Sequence, residues 1–186
     1  MNATDWQITG HTRLFGIVAD PIAHVKTPQG LNPLMRKRGV DGVLVPFHIA
    51  SPDLPAFVQT LRMLRNFGGA IITVPHKSAI VDLCDAVEPL ATMVGAVNCI
   101  RRETDGRIVG TILDGRGFVE GFRSRDITLV GQSVFMAGAG GAASAIAFAL
   151  AEAGIARLGS GLIAHNQNRT VAASAMAEKK TVGHRS

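Results

Sequence analysis

Four short segments hold most of the side chains in this sequence that could act on a small polar molecule. Residues 20–28 (DPIAHVKTP) carry Thr27, residues 73–77 (TVPHK) carry Thr73 and Lys77, residues 95–98 (GAVN) end in Asn98, and residues 113–118 (LDGRGF) contain Asp114. Each follows an apolar stretch and breaks into polar or proline-containing sequence, which is where open α/β sheets place their ligands. A lysine, a carboxylate, an amide and two hydroxyls could therefore converge on one polar ligand. Taken singly, each has a plainer reading. A lone lysine at a strand end is ordinarily a solvated charge, Thr27 serves equally as a cap for a helix starting at Pro28, and Asn98 serves equally as a turn residue.

A second kind of chemistry is written in residues 134–154 (VFMAGAGGAASAIAFALAEAG). An apolar run ends in Gly138-Ala139-Gly140-Gly141-Ala142-Ala143 and continues directly into an alanine-rich helical pattern. Gly138, Gly140 and Ala143 occupy the positions of a G-x-G-x-x-G/A turn, the start of a dinucleotide-binding βαβ unit. Such a turn lets backbone N–H groups approach a pyrophosphate, and the helix N-terminus behind it favours negative charge.

The elements that must position these groups alternate between strand and helix, which predicts an α/β fold. Residues 13–19 read as a strand, and Thr27-Pro28 opens a helix through Leu31, Leu34 and Met35 that stops near Gly39. Residues 43–47 form a second strand, and Ser51-Pro52-Asp53 opens a helix with Leu54, Phe57, Val58, Leu61 and Leu64 at helical spacing. Gly68-Gly69 is expected to end that connection before a fully apolar strand at 70–74, as in a parallel sheet. A short helix with Ile80, Val81, Leu83 and Cys84 follows, then a helical turn at 88–93. Residues 96–101 and 107–112 flank an Asp-Gly hairpin turn, and a helix starts near Asp114. A strand at 133–137, the alanine-rich helix, a strand at 161–165 and a helical stretch to about Glu178 complete the pattern. The division expected is 1–120 for a domain with a mainly parallel sheet, to which the resemblance described below assigns substrate binding, and 121–186 for the first part of a Rossmann domain.

Composition narrows the function classes. The 186 residues are 47% hydrophobic, enough for a substantial core. No run approaches the ~20 apolar residues of a membrane span, and the N-terminus lacks a signal pattern, so a cytoplasmic location is expected. The net charge of +5 comes from scattered groups (Arg36-Lys37-Arg38, Arg101-Arg102, Arg123, Arg125, Lys179-Lys180) without interleaved aromatics, which argues against nucleic acid as a partner. Cys84 and Cys99 lack metal-ligand spacing and read as buried reduced thiols. His24, His76 and His165 stand at strand ends without a companion carboxylate cluster, and His11, His48 and His184 read as surface or structural residues. No metal is expected.

At this point the chain resembles the shikimate dehydrogenase family, including its quinate/shikimate branch, from about residue 13 to about residue 175. The motifs in order are G-x-x-x-x-P-x-x-H-x-x-x-P at 16–28, T-x-P-H-K at 73–77, G-A-V-N at 95–98, D-G-x-G-F at 114–118, G-A-G-G-A-A at 138–143 and N-R-T at 168–170. The resemblance implies an NADP-dependent oxidoreductase that reversibly reduces 3-dehydroshikimate to shikimate, or acts on quinate or an analogue. It also implies Lys77 and Asp114 as the catalytic pair. Substrate contacts would come from the positions of Val25, Thr27, Thr73, Lys77, Asn98 and Asp114. Cofactor contacts would come from Gly138, Ala139, Gly140, Gly141, Ala142, Asn168, Arg169 and Thr170. No acidic residue follows the second strand of the nucleotide unit, where NAD-binding proteins keep one for the ribose diol. Asn168-Arg169-Thr170 stands there instead and signals NADP in the family. A homodimer is left open.

Two departures bear on substrate. The family's S-x-S before the proline is Val25-Lys26-Thr27 here, so one carboxylate-binding hydroxyl is replaced by an apolar side chain. The family's N-T-D-G appears as Ile112-Leu113-Asp114-Gly115. An unpaired substrate group costs ~1–3 kcal/mol, which points to a related or less polar ring acid. The glycine-rich turn also begins late in the chain, so the competing expectation is a C-terminally truncated, catalytically incomplete paralogue that retains ligand binding only.

Overall fold

The computed structural model describes residues 7–138, 140–166 and 169–174. The chain divides into two compact units, Met1–Leu113 and Asp114–Ser186.

In the first unit, six strands form one sheet: β1 (Arg13–Ala19), β2 (Gly42–His48), β3 (Phe67–Ile72), β4 (Ala86–Val87), β5 (Cys99–Arg102) and β6 (Ile108–Thr111), in the order β2-β1-β3-β5-β6-β4. β1 pairs in parallel with β2 and β3, and β4 in parallel with β6, while β5 runs antiparallel to both neighbours. The α/β, mainly parallel reading therefore holds. Ile17, Val18 and Ala19 of β1 and Phe67, Ala70 and Ile72 of β3 are buried, as their near-continuous apolar sequence requires.

Three helices accompany this sheet: α1 (Thr27–Lys37), α2 (Leu54–Met63) and α3 (Pro89–Val94). The spacing read from the sequence gives α2 its buried stripe of Leu54, Val58 and Leu61, and its Phe57 ring meets Phe47 at 5.2 Å. α1 is tied differently, through Asn32. Its side-chain amide donates to the Leu44 carbonyl at 2.9 Å while its oxygen accepts from the Leu44 N–H at 2.8 Å. β2 lies at the sheet edge, so Asn32 takes the place of a neighbouring strand there. The same edge position tolerates Pro46, which has no N–H to give.

Several boundaries differ from expectation. β3 begins at Phe67, so Gly68-Gly69 lie inside the strand and Thr73-Val74 lie beyond it. The glycines belong there because of close approach: a Cβ on Gly69 would be driven into the Ile100 carbonyl of β5, and one on Gly68 into the Phe15 ring. The segment carrying Ile80 to Cys84 makes only a 3-10 turn at Val81–Leu83, followed by the short β4. The Asp-Gly hairpin is present, with the Arg107 N–H donating to Asp105 Oδ1 at 3.0 Å and Gly106 at φ +92°.

The second unit contains α4 (Asp114–Arg123), β7 (Ser133–Ala137), α5 (Gly141–Glu152), β8 (Arg157–Asn166) and β9 (Arg169–Ser174). β7 and β8 are parallel and joined through α5, which makes the expected strand-helix-strand unit. The helix expected after residue 170 is corrected over residues 171–174, and its continuation to Glu178 lies outside the described residues. Residues 169–174 form β9, antiparallel to β8 from Asn166↔Arg169 to Gly161↔Ser174. That pairing satisfies the outer edge of β8, an edge that a helix in this segment would leave without backbone partners. α4 falls with the second unit, so the division lies earlier than the 120/121 expected. No helix of the described residues is long and apolar enough to cross a membrane.

Candidate active site

In the first unit the site is assembled by backbone bonds at the carboxyl ends of β1, β2 and β3. Asp20 donates its N–H to the Val74 carbonyl (3.1 Å), Thr73 to Val18 (3.0 Å) and Ile49 to Ala19 (3.3 Å). The loop after β1, which carries Val25 and Thr27, is thereby bound to the segment that carries Thr73 and Lys77. Val25 closes a tight turn of its own, its N–H donating to Ile22 at 3.0 Å. Thr27 and Pro28 open α1, with Lys26 at the cap position and no side-chain cap bond. Thr27 is thus the first helical residue and not the cap, which removes the plainer role its sequence allowed.

Lys77 is fixed from both sides of its main chain. The His76 N–H donates to Thr73 (2.9 Å), and the Lys77 carbonyl accepts from Val97 (2.8 Å). The next residue, Asn98, is only 9% exposed. Its carbonyl accepts from Ile72 at 2.8 Å, its N–H donates to Thr111 at 3.0 Å, and its side-chain oxygen accepts from Leu113 N–H at 2.8 Å. Asn98 therefore anchors β3, β6 and the strand exit leading to Asp114. Within this unit the structure brings together the segments bearing Val25, Thr27, Thr73, Lys77 and Asn98. Val25, Thr27, Thr73 and Lys77 are each half-buried, so their side chains retain access to a ligand.

The sequence reading missed two features of this region. His48 Nε2 lies 2.8 Å from Asp20 Oδ1, a pair at the ends of β2 and β1. His76 is fully buried, with Nε2 2.8 Å from the Ile49 carbonyl oxygen. Neither bond joins residues near in sequence, so no local motif announces them. Burial, with Asp85 adding to it, pushes the Cys84 thiol up to about 11, and burial raises Cys99, which disfavours the thiolate that nucleophilic attack requires. Among the described residues, no group of His, Cys, Asp or Glu is arranged to hold a metal ion.

In the second unit Asp114 is the first residue of α4, where the helix dipole favours its negative charge. Gly115, which follows it, faces α5 so closely that a Cβ would be driven into the Ala145 carbonyl. The glycine turn leads from β7 into α5. Gly138 holds φ +122°, a conformation costly for any side chain, and Gly140 caps α5 in extended conformation. A Cβ at either position would meet nothing within 4 Å. The space above the turn is open, and the first-turn N–H groups of α5, from Gly141 and Ala142 onward, have no intrahelical acceptor. A diphosphate fits this donor set. Ala139 and Asn168 lie outside the described residues. Arg169 and Thr170 begin β9, a correction to their expected place at a helix start.

Comparison with known proteins places these features in context. The profile for the shikimate dehydrogenase substrate-binding domain matches residues 17–100. The NADP(+) shikimate dehydrogenase of Geobacter metallireducens is 40% identical over 151 residues, covering 80% of this chain and 52% of that protein. The crystal structure of shikimate 5-dehydrogenase from Listeria monocytogenes, in complex with shikimate and NAD, superposes with a TM-score of 0.78 at 33% identity, covering 89% of this chain and 56% of that one. The ligand-free 5-ketofructose reductase of a Gluconobacter strain superposes at 0.72 with 30% identity over 79% of this chain and 52% of that one. The chain spans about half the length of the curated relatives it matches.

Proposed function

The chain belongs to the shikimate dehydrogenase family, and from that premise we propose that it is an NADP-dependent oxidoreductase that interconverts 3-dehydroshikimate and shikimate or a related ring acid. The observation that carries this reading is the bonded set of loops at the carboxyl edge of β1, β2 and β3. It holds Thr27, Thr73, Lys77 and Asn98 on one sheet edge inside the segment that matches the substrate-binding profile. NADP is the cofactor named for the similar enzymes, and in this chain the turn at Gly138–Ala142 would hold its diphosphate. Asn168, Arg169 and Thr170 would meet the 2′-phosphate.

When bound, NADP would supply the hydride chemistry at the ring carbon that carries the hydroxyl or ketone. The task of this chain's residues is the proton and the charge. When the hydroxyl is oxidised its oxygen loses a proton, and when the ketone is reduced its oxygen gains one. Lys77 as ammonium stabilises negative charge growing on that oxygen and donates a proton to it, and as amine accepts the proton in reverse. Asp114 supplies the opposing charge. Thr27, Thr73 and Asn98 orient the ring through its hydroxyl and carboxylate groups.

The test is NADP⁺ reduction with shikimate and with quinate, followed at the nicotinamide absorbance. Ring-acid-dependent reduction is expected, and Lys77→Ala should lower its rate by about 10²- to 10⁴-fold. Failure of both acids to drive reduction, or full activity in Lys77→Ala, overturns the proposal.

A further inference from the structure

The buried imidazole of His76 has two different nitrogens. Nε2 lies 2.8 Å from the Ile49 carbonyl oxygen, and a carbonyl only accepts, so the ring proton sits on Nε2. Nδ1 is then a lone-pair acceptor, buried and without a hydrogen-bond partner among the described residues. An aliphatic or phenyl side chain would fill the same space without an orphaned acceptor, so packing alone does not account for a histidine here.

The Nε2 bond joins two parts of the site. Ile49 follows His48, whose Nε2 is bonded to Asp20 at 2.8 Å, and the Ile49 N–H donates to Ala19. Residues 48–49 are thus fastened to the loop bearing Val25 and Thr27. From the other side, His76 fastens them to the turn bearing Lys77. We propose that His76 is a positioning residue: its Nε2–H bond to Ile49 sets the place of the Lys77 turn relative to the loop after β1, and so the reach of the lysine toward a bound ring acid. This rests on the reading of Lys77 as the group that acts on that acid.

The two side-chain amides separate this role from simple packing. In His76→Gln the amide nitrogen falls near the position of Nε2 and keeps the donor, whereas in His76→Asn it falls near Nδ1 and loses it. Three measurements on the full chain decide the matter. At pH 8, nitrogen NMR should place the proton of His76 on Nε2. In the ¹³C-methylated protein, with its five lysines, the Lys77 resonance (assigned through Lys77→Arg) should be unmoved by His76→Gln and shifted by His76→Asn. Shikimate affinity should stay within about threefold of the parent in the Gln variant and weaken about tenfold or more in the Asn variant.

A proton on Nδ1 overturns the proposal, as does an Asn variant that leaves both Lys77 and affinity unchanged, or equal effects from Gln and Asn. If neither variant folds, the tautomer of the parent decides alone. If the parent binds no shikimate, the functional reading fails for that ligand, while the tautomer and the Lys77 resonance still decide the role of His76.

Discussion

Val25 is where this chain departs most sharply from the family pattern in a segment that the structure ties to the rest of the site. It is half-buried in the loop bonded to the Lys77 segment, and its isopropyl group cannot donate to a carboxylate. A hydroxyl facing a bound ring acid from this position would add a charge-assisted bond, which is among the stronger kinds of hydrogen bond. Val25→Ser is therefore expected to tighten shikimate binding by about tenfold, measured by titration calorimetry. Unchanged or weaker binding would mean that the loop does not face the carboxylate. Thr73 and Lys77 open and close one short motif just after β3, and Asn98 closes another just before β5, so their places beside strands could be read from the sequence. Asp20, His48 and His76 were not legible as partners, since their bonds span roughly the distance between neighbouring strands of a parallel sheet and leave no local periodicity. The sequence allows Thr27 two roles, and the absence of a side-chain cap at α1 leaves its hydroxyl without the capping one.

The elements around the site depend on a few ionic clamps. Asp85, just before β4, accepts from the Ile108 N–H at 2.7 Å and from Arg62 Nη2 at 3.1 Å and Nε at 3.2 Å. The Ile108 bond first, and the Arg62 bond second, hold its carboxyl below the ordinary range. Glu88, at the start of α3, is lowered in the same way, first by Thr111 and then by Arg101. A carboxyl depressed in the folded chain is charged there while its unfolded counterpart has begun to take up protons. Its stabilisation is thus complete above the usual carboxylate pKa and is lost as pH falls through the lower, folded value. The melting temperature should therefore fall steeply below about pH 4. Asp85→Asn should melt lower at neutral pH and show a shallower fall between neutral and acid. An equal acid slope in the variant would dismiss the clamp. Such clamps escape sequence reading, because Arg62 and Asp85 are brought together only by the turn after Lys77. The apolar run of β1 and the helical spacing of α2 make both legible almost to the residue. β9 is not, because its pairing depends on the open edge of β8 and not on its own pattern.

At the scale of the whole chain, the described side chains of the two units differ in burial. Among the residues whose side chains are described, the buried apolar ones lie in the first unit except for Ala145 and Leu150. Local stability follows buried contact, so opening should be easier in the second unit than in the first. Amide exchange should then show β1, β3 and β5 as the slowest segments, with β7 and α5 faster. The same measurement tests the cofactor proposal without requiring turnover. A ligand held at the glycine turn stabilises only the state that binds it, by about 2.7 kcal/mol at a hundredfold excess over its dissociation constant. Added NADP⁺ should therefore slow exchange across residues 134–152 by up to about a hundredfold and leave β1 and β3 nearly unchanged, since the turn that would hold it belongs to the second unit alone. Protection that is uniform over the chain, or absent from the α5 N-terminus, would remove the diphosphate from that turn. NAD⁺ in place of NADP⁺ should protect the same residues at higher concentration, because only the 2′-phosphate gives Arg169 a charge to meet.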